Sequence, residues 1–75
     1  MTAKELLLVA HILTGDAKNL VNHHILTEKI GWWPGELANI KEVMPDPAAP
    51  EIVFTVENSH GEIGVFADET VILMP

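Results

Sequence analysis

From Glu51 to Met74 the chain reads EIVFTVE, NSHG, EIGVFA, DET and VILM. Three short apolar-rich runs, separated by a polar turn and an acidic corner, predict three consecutive antiparallel strands. In the first run Ile52, Phe54 and Val56 alternate with Glu51, Thr55 and Glu57, the pattern of a strand with one face in a core. Only Val53 breaks it. The elements expected here are a strand at Glu51–Glu57, a hairpin through Asn58-Ser59-His60-Gly61, a strand at Glu62–Ala67, a turn at Asp68-Glu69 and a last strand at Thr70–Met74.

The amino-terminal stretch carries a helical period instead. Thr2 and Glu5 have capping-box spacing, so a helix is expected over residues 3–14, with Gly15 at its carboxyl-terminal cap. Leu6, Val9 and Leu13 fall on one side with Leu7 and Ala10 beside them, and Leu8 and Ile12 are apolar as well. A helix apolar nearly all round is usually covered on more than one side. In so short a chain the second cover is expected to be another chain, which makes Leu8 and Ile12 candidate contacts for a protein partner or a second copy.

Asp16–Ile30 admits two readings. Asp16 can cap a helix through AKNLVNHH, or GDAKN is a loop and a strand follows. Asn19 and Asn22 are poor helix formers and Ile25 and Thr27 are β-branched, which favours a loop or short helical turn and then a strand over His24–Lys29. Gly31-Trp32-Trp33-Pro34-Gly35 reads as a loop. In Glu36–Val43 the apolar alternation slips once, which suggests a strand with a β-bulge. Met44–Pro50 holds three of the five prolines and is expected to be a stiff loop.

Five strands with a long aromatic-bearing first loop, a proline-rich second loop, a tight hairpin and a one-turn corner resemble the small SH3-like β-barrel. The fold class expected is mainly β with an N-terminal α-helix: one domain over 1–75, with the barrel at 25–74. WWPGELANIKEV together with APEIVFTVENSHGEIGVFADETV also resembles small bacterial or phage proteins of this barrel class. The resemblance implies a fold and no catalytic residue, because such barrels host unrelated activities.

Composition narrows the function classes. At 75 residues one core is the limit, and without cysteine no disulfide or thiolate metal site can support it. Four lysines and no arginine against eleven carboxylates give a formal net charge of −7. Lys4, Lys18, Lys29 and Lys41 are scattered, so direct nucleic-acid binding is not expected. The apolar run Leu6–Ala10 is too short for a membrane span, and no cleavage site follows it, so a cytoplasmic protein is expected.

Candidate chemistry is sparse. His23 and His24 are adjacent and diverge in either a strand or a helix, and neither they nor His11 and His60 have metal-motif spacing; no metal and no cofactor is expected. Ser59 is the only serine and sits in a turn, so no nucleophilic triad is read and the protein is not expected to be an enzyme. Trp32, Trp33 and Pro34 form the candidate recognition loop, one ring expected inward and one outward. Glu51, Glu57, Glu62, Asp68 and Glu69 form a candidate acidic face. The function expected is a small acidic protein-interaction module or assembly subunit. The alternative is a nucleic-acid mimic whose carboxylates block a basic groove of a partner.

Overall fold

The computed structural model describes residues 1–27 and 37–74. Helix α1 (Ala3–Thr14) is followed by a short 3-10 helix (Ala17–Leu20) and strands β1 (His24–Thr27), β2 (Ala38–Val43), β3 (Ile52–Asn58), β4 (Gly61–Phe66) and β5 (Val71–Met74). The strands pair antiparallel in the order β4-β3-β2-β1-β5, an open five-stranded sheet. The first strand lies between the second and the last, and β2, β3 and β4 form a meander. Among the described residues no ladder joins β4 to β5.

Local chemistry sets the helix ends. Thr2 Oγ1 accepts from the Glu5 N–H at 3.2 Å, and Glu5 Oε1 accepts from the Thr2 N–H at 2.9 Å, the reciprocal bonds of a capping box. Gly15, at φ 83°, donates its N–H to the His11 carbonyl and stops the helix in the left-handed region that glycine tolerates. Asp16 then caps the 3-10 helix, its Oδ1 accepting from the Lys18 N–H at 2.9 Å. Of the loop or short helical turn expected before a strand at His24–Lys29, the helical turn forms and the strand begins at His24; Glu28, Lys29 and Ile30 lie outside the described residues.

The core consists of Phe54, Ile25, Ile40, Val53, Val56, Val65 and Val71 from the sheet, with Ala38, closed by Ala3, Leu6 and Ala10 of α1 and by Leu20. Helix α1 packs against β3, β4 and β5. Its rotation differs from the expected one. Leu6 is buried, but Val9 and Leu13 are exposed, and the flanking positions inside are the two alanines. The physical cause lies at the amino end. Ala3 and Lys4 donate their N–H groups to the Glu69 and Ala67 carbonyls, Met1 accepts from the Val71 N–H, and Thr2 bridges Thr70. These bonds fix the helix azimuth, and small side chains at Ala3 and Ala10 let its backbone approach the sheet.

Two bulges set which strand residues face inward. In β2 the register shifts between Ile40 and Glu42, so Lys41 is the extra residue, in the stretch where the alternation slips. In β3 it shifts between Ile52 and Phe54. Val53 is therefore inserted, and Val53, Phe54 and Val56 are buried while Ile52 is only partly so. That corrects the simple alternation of Ile52, Phe54 and Val56. β3 also begins and ends one residue later than expected, and Thr70 forms an isolated bridge rather than opening β5. The β3–β4 hairpin turns through Ser59 and His60 between paired Asn58 and Gly61. Asn58 Oδ1 accepts from the His60 N–H at 2.8 Å, and Gly61 takes φ 128°.

Candidate functional site

The outward side of α1 is the most distinctive surface. Leu8, Ile12 and Leu13 are 59%, 70% and 77% exposed, and Val9 lies partly open beside them. Leu8 and Ile12 are one turn apart and point away from the sheet. Val9 and Leu13 point sideways, toward β5. Between that flank and the half-exposed Leu73 runs an apolar groove of about 170 Å³, floored by Leu6, Ala10 and Leu20 and bordered by Asn19 and His23. Leu8 and Ile12, the two helix positions expected to meet a partner, are thus exposed. The groove beside them was not legible from the chain. Helical periodicity puts Val9 and Leu13 on the same side as Leu6 without saying which side is covered, and Leu73 meets the helix only through the fold. The usable signal was Ala3 and Ala10, two small residues two turns apart, which mark the face where the helix backbone comes closest to the sheet.

The carboxylates expected to form one face divide into two groups. Glu57 and Glu62 are directly opposite on β3 and β4, and Lys41 Nζ reaches Glu62 Oε1 at 2.9 Å. The hydrogen bond to Glu62, reinforced by the charges of Glu62, Glu57 and Glu42, holds the Lys41 ammonium above its usual pKa. Glu51, Asp68 and Glu69 sit at the far end of the β3–β4 ribbon, where the Glu51 carbonyl accepts from the Ala67 N–H. Glu51 and Glu57 are roughly 20 Å apart at about 3.3 Å per residue. Glu69 also has a structural task, its Oε1 accepting from the Phe66 N–H at 3.2 Å across the β4–β5 corner. Lys41 was the residue missed here, because its place among three carboxylates depends on strand register.

Trp32, Trp33 and Pro34 lie outside the described residues. Of the two phenylalanines, Phe54 fills the core and Phe66 is 41% exposed on the outer face of β4. His11, His23, His24 and His60 are all exposed and occur on separate elements or as diverging neighbours. Among the described residues no three histidine, aspartate or glutamate side chains converge on a common point, and no helix is long and apolar enough to cross a membrane. A wider cleft of about 310 Å³ is bordered by Lys18, Lys41 and Met44, with Lys41 already committed to Glu62. No family profile, curated protein or solved structure matches the chain.

Proposed function

We propose that the protein is a small, acidic, non-catalytic interaction module or assembly subunit, built as an SH3-like barrel with an added helix. The strand order β4-β3-β2-β1-β5, with the first strand between the second and the last, supports the barrel reading. The exposed row Leu8, Ile12 and Leu13, continued by the groove against Leu73, carries the interaction reading. A monomer that keeps such a row in water exposes a contiguous apolar patch of the kind that marks contact surfaces. The Trp32-Trp33-Pro34 loop is the second proposed contact, resting on its composition.

The nucleic-acid mimic draws less support. A mimic needs carboxylates spaced along one surface, whereas Glu57 and Glu62 are partly neutralised by Lys41 and the remaining three lie at the other end of the ribbon.

Gel filtration of a tagged copy in extract of its own cell tests the proposal. Wild type is expected to elute in a complex heavier than its own 8.2 kDa, and the Leu8→Glu/Ile12→Glu variant to elute outside it. Identical elution of the two forms would refute the reading.

A further inference from the structure

The proposed contact face has a definite area and a definite charge, and both bear on what covers it. This inference rests on the interaction reading above and names the partner.

We infer that the outward face of α1 pairs with the same face of a second copy, forming a two-fold symmetric dimer through Leu8, Val9, Ile12 and Leu13, with Leu73 at its border. The area fits. The exposed parts of these five side chains sum to roughly 500 Å² of apolar surface, a contiguous patch near the upper end of what monomers show. A standard interface buries about 800 Å² per partner, and homodimer interfaces are about 65% apolar, so the patch supplies about the apolar share that one side of such a dimer needs.

Charge selects the same face. Two copies at −7 repel, so a self-contact must be made where the carboxylates are not. Helix α1 carries Lys4 and Glu5 as its only charged residues apart from His11, and is neutral overall with the imidazole uncharged. Glu42, Glu57 and Glu62 lie on β2, β3 and β4, Asp68 and Glu69 lie beside the first turn of α1, and Asp16 follows its last turn, so the carboxylates flank the stretch Leu8–Leu13 and none lies within it. A two-fold contact centred on Leu8–Leu13 therefore has no carboxylate at its centre. Repulsion between the rest of the two molecules acts at longer range and is screened by salt.

Core size points the same way. Twelve buried apolar residues, three of them alanine, form the whole described core, and domains this small commonly draw further stability from association. The groove between α1 and β5, at about 170 Å³, has room for one aliphatic side chain, and Leu13 on its lip places a leucine from each copy beside the other's groove.

Two dependences follow. Because the contact is apolar and the net charge opposes it, dimerisation strengthens as salt rises, the reverse of the behaviour of a contact held by the carboxylates. Because the centre of the contact is apolar, Ile12→Glu and Ile12→Lys both break it, although Lys lowers the net repulsion.

Sedimentation equilibrium of the purified full chain tests this at protein concentrations from about 1 µM to 0.5 mM, in low and high sodium chloride. The expected result is a mass rising from 8.2 kDa toward twice that value, at lower protein concentration in high salt, with both Ile12 variants staying at 8.2 kDa by at least a tenfold weaker association. Far-ultraviolet circular dichroism accompanies each variant, and Leu8→Glu provides a second break should one of them unfold. A mass of 8.2 kDa at every concentration and salt, or a dimer that survives all three substitutions, overturns the inference. A monomeric purified protein whose complex in extract is still lost on Leu8→Glu/Ile12→Glu overturns self-pairing and leaves the interaction reading standing. An unaffected complex removes both.

Discussion

Gly64 shows how closely single atoms are constrained on the outer face of the sheet. A Cβ built there meets Cγ2 of Ile52 at 3.1 Å, and that methyl is attached to a branched carbon with little freedom to withdraw. Gly64→Ala is expected to destabilise the fold by about 1 kcal/mol, an overpacking cost set against the entropy that alanine saves in the unfolded chain. Chemical denaturation measures it. In the Ile52→Ala background the same change is expected to be neutral or stabilising, so the two substitutions will not add. Glu5 makes a second case. The hydrogen bond from the Thr2 backbone N–H, and then the contact with its hydroxyl, hold the Glu5 carboxyl below its ordinary value of 4.5. A lowered folded pKa means that the ionised form favours the fold. Its contribution is therefore complete above 4.5 and is lost as pH falls through the lower folded value. Melting temperatures of wild type and Glu5→Gln, followed from pH 7 to pH 2.5, should converge on acidification, since glutamine keeps an acceptor for the cap but does not titrate. A constant gap would contradict this assignment.

At the scale of elements, the legible features were those with local causes. The capping box at Thr2 and Glu5, the glycine stop at Gly15, the Asn58-Gly61 hairpin and the proline-rich loop are each specified by a few adjacent residues, and each stands where the chain places it. The azimuth of α1 was not legible, because it is set by bonds from Ala3 and Lys4 to Ala67 and Glu69, far away in sequence. The same holds for Val53. Its departure from alternation was visible, yet only the shifted pairing of Ile52 and Phe54 shows that the departure is a bulge with its side chain inside. Half of the candidate site was readable in this sense. Leu8 and Ile12 follow from a helix with too many apolar positions for one covered face, while Leu73 and the groove need the tertiary arrangement. The acidic ribbon follows the same rule, since alternation puts Glu57 and Glu62 on the outer face but only register puts them opposite each other. Like charges directly opposed on neighbouring strands repel, and Lys41 offsets that repulsion. Both members of the Lys41–Glu62 pair are well exposed, so the effect is modest and screened. Lys41→Met should lower the melting temperature at low salt, with the difference shrinking in 0.5 M salt on the order of a 4 Å Debye length. A difference that persists at high salt would assign Lys41 a packing role instead.

For the whole molecule, the governing contrast is between a small apolar interior and an apolar helix face left outside it. Phe54 is the largest residue fully enclosed among the described residues, and Phe54→Ala is expected to cost about 3–5 kcal/mol, enough to unfold most of a domain this size. Thermal denaturation checks that the core is organised around it. Substitutions at Leu8, Ile12 and Leu13 should have the opposite profile, with little effect on the isolated fold and a large one on association, because their side chains contribute little to the interior. Charge reinforces the division. The strands and turns carry most of the carboxylates, and the proposed contact falls on the helix, whose Leu8–Leu13 stretch carries none. The measurement that tests this most directly is cross-linking with a photoreactive amino acid in place of Ile12, on the purified chain at about 100 µM. The account predicts an adduct joining two copies, mapped by mass spectrometry to residues 8–13 of the second helix or to Leu73. No adduct, or adducts confined to the β3–β4 ribbon, would contradict it.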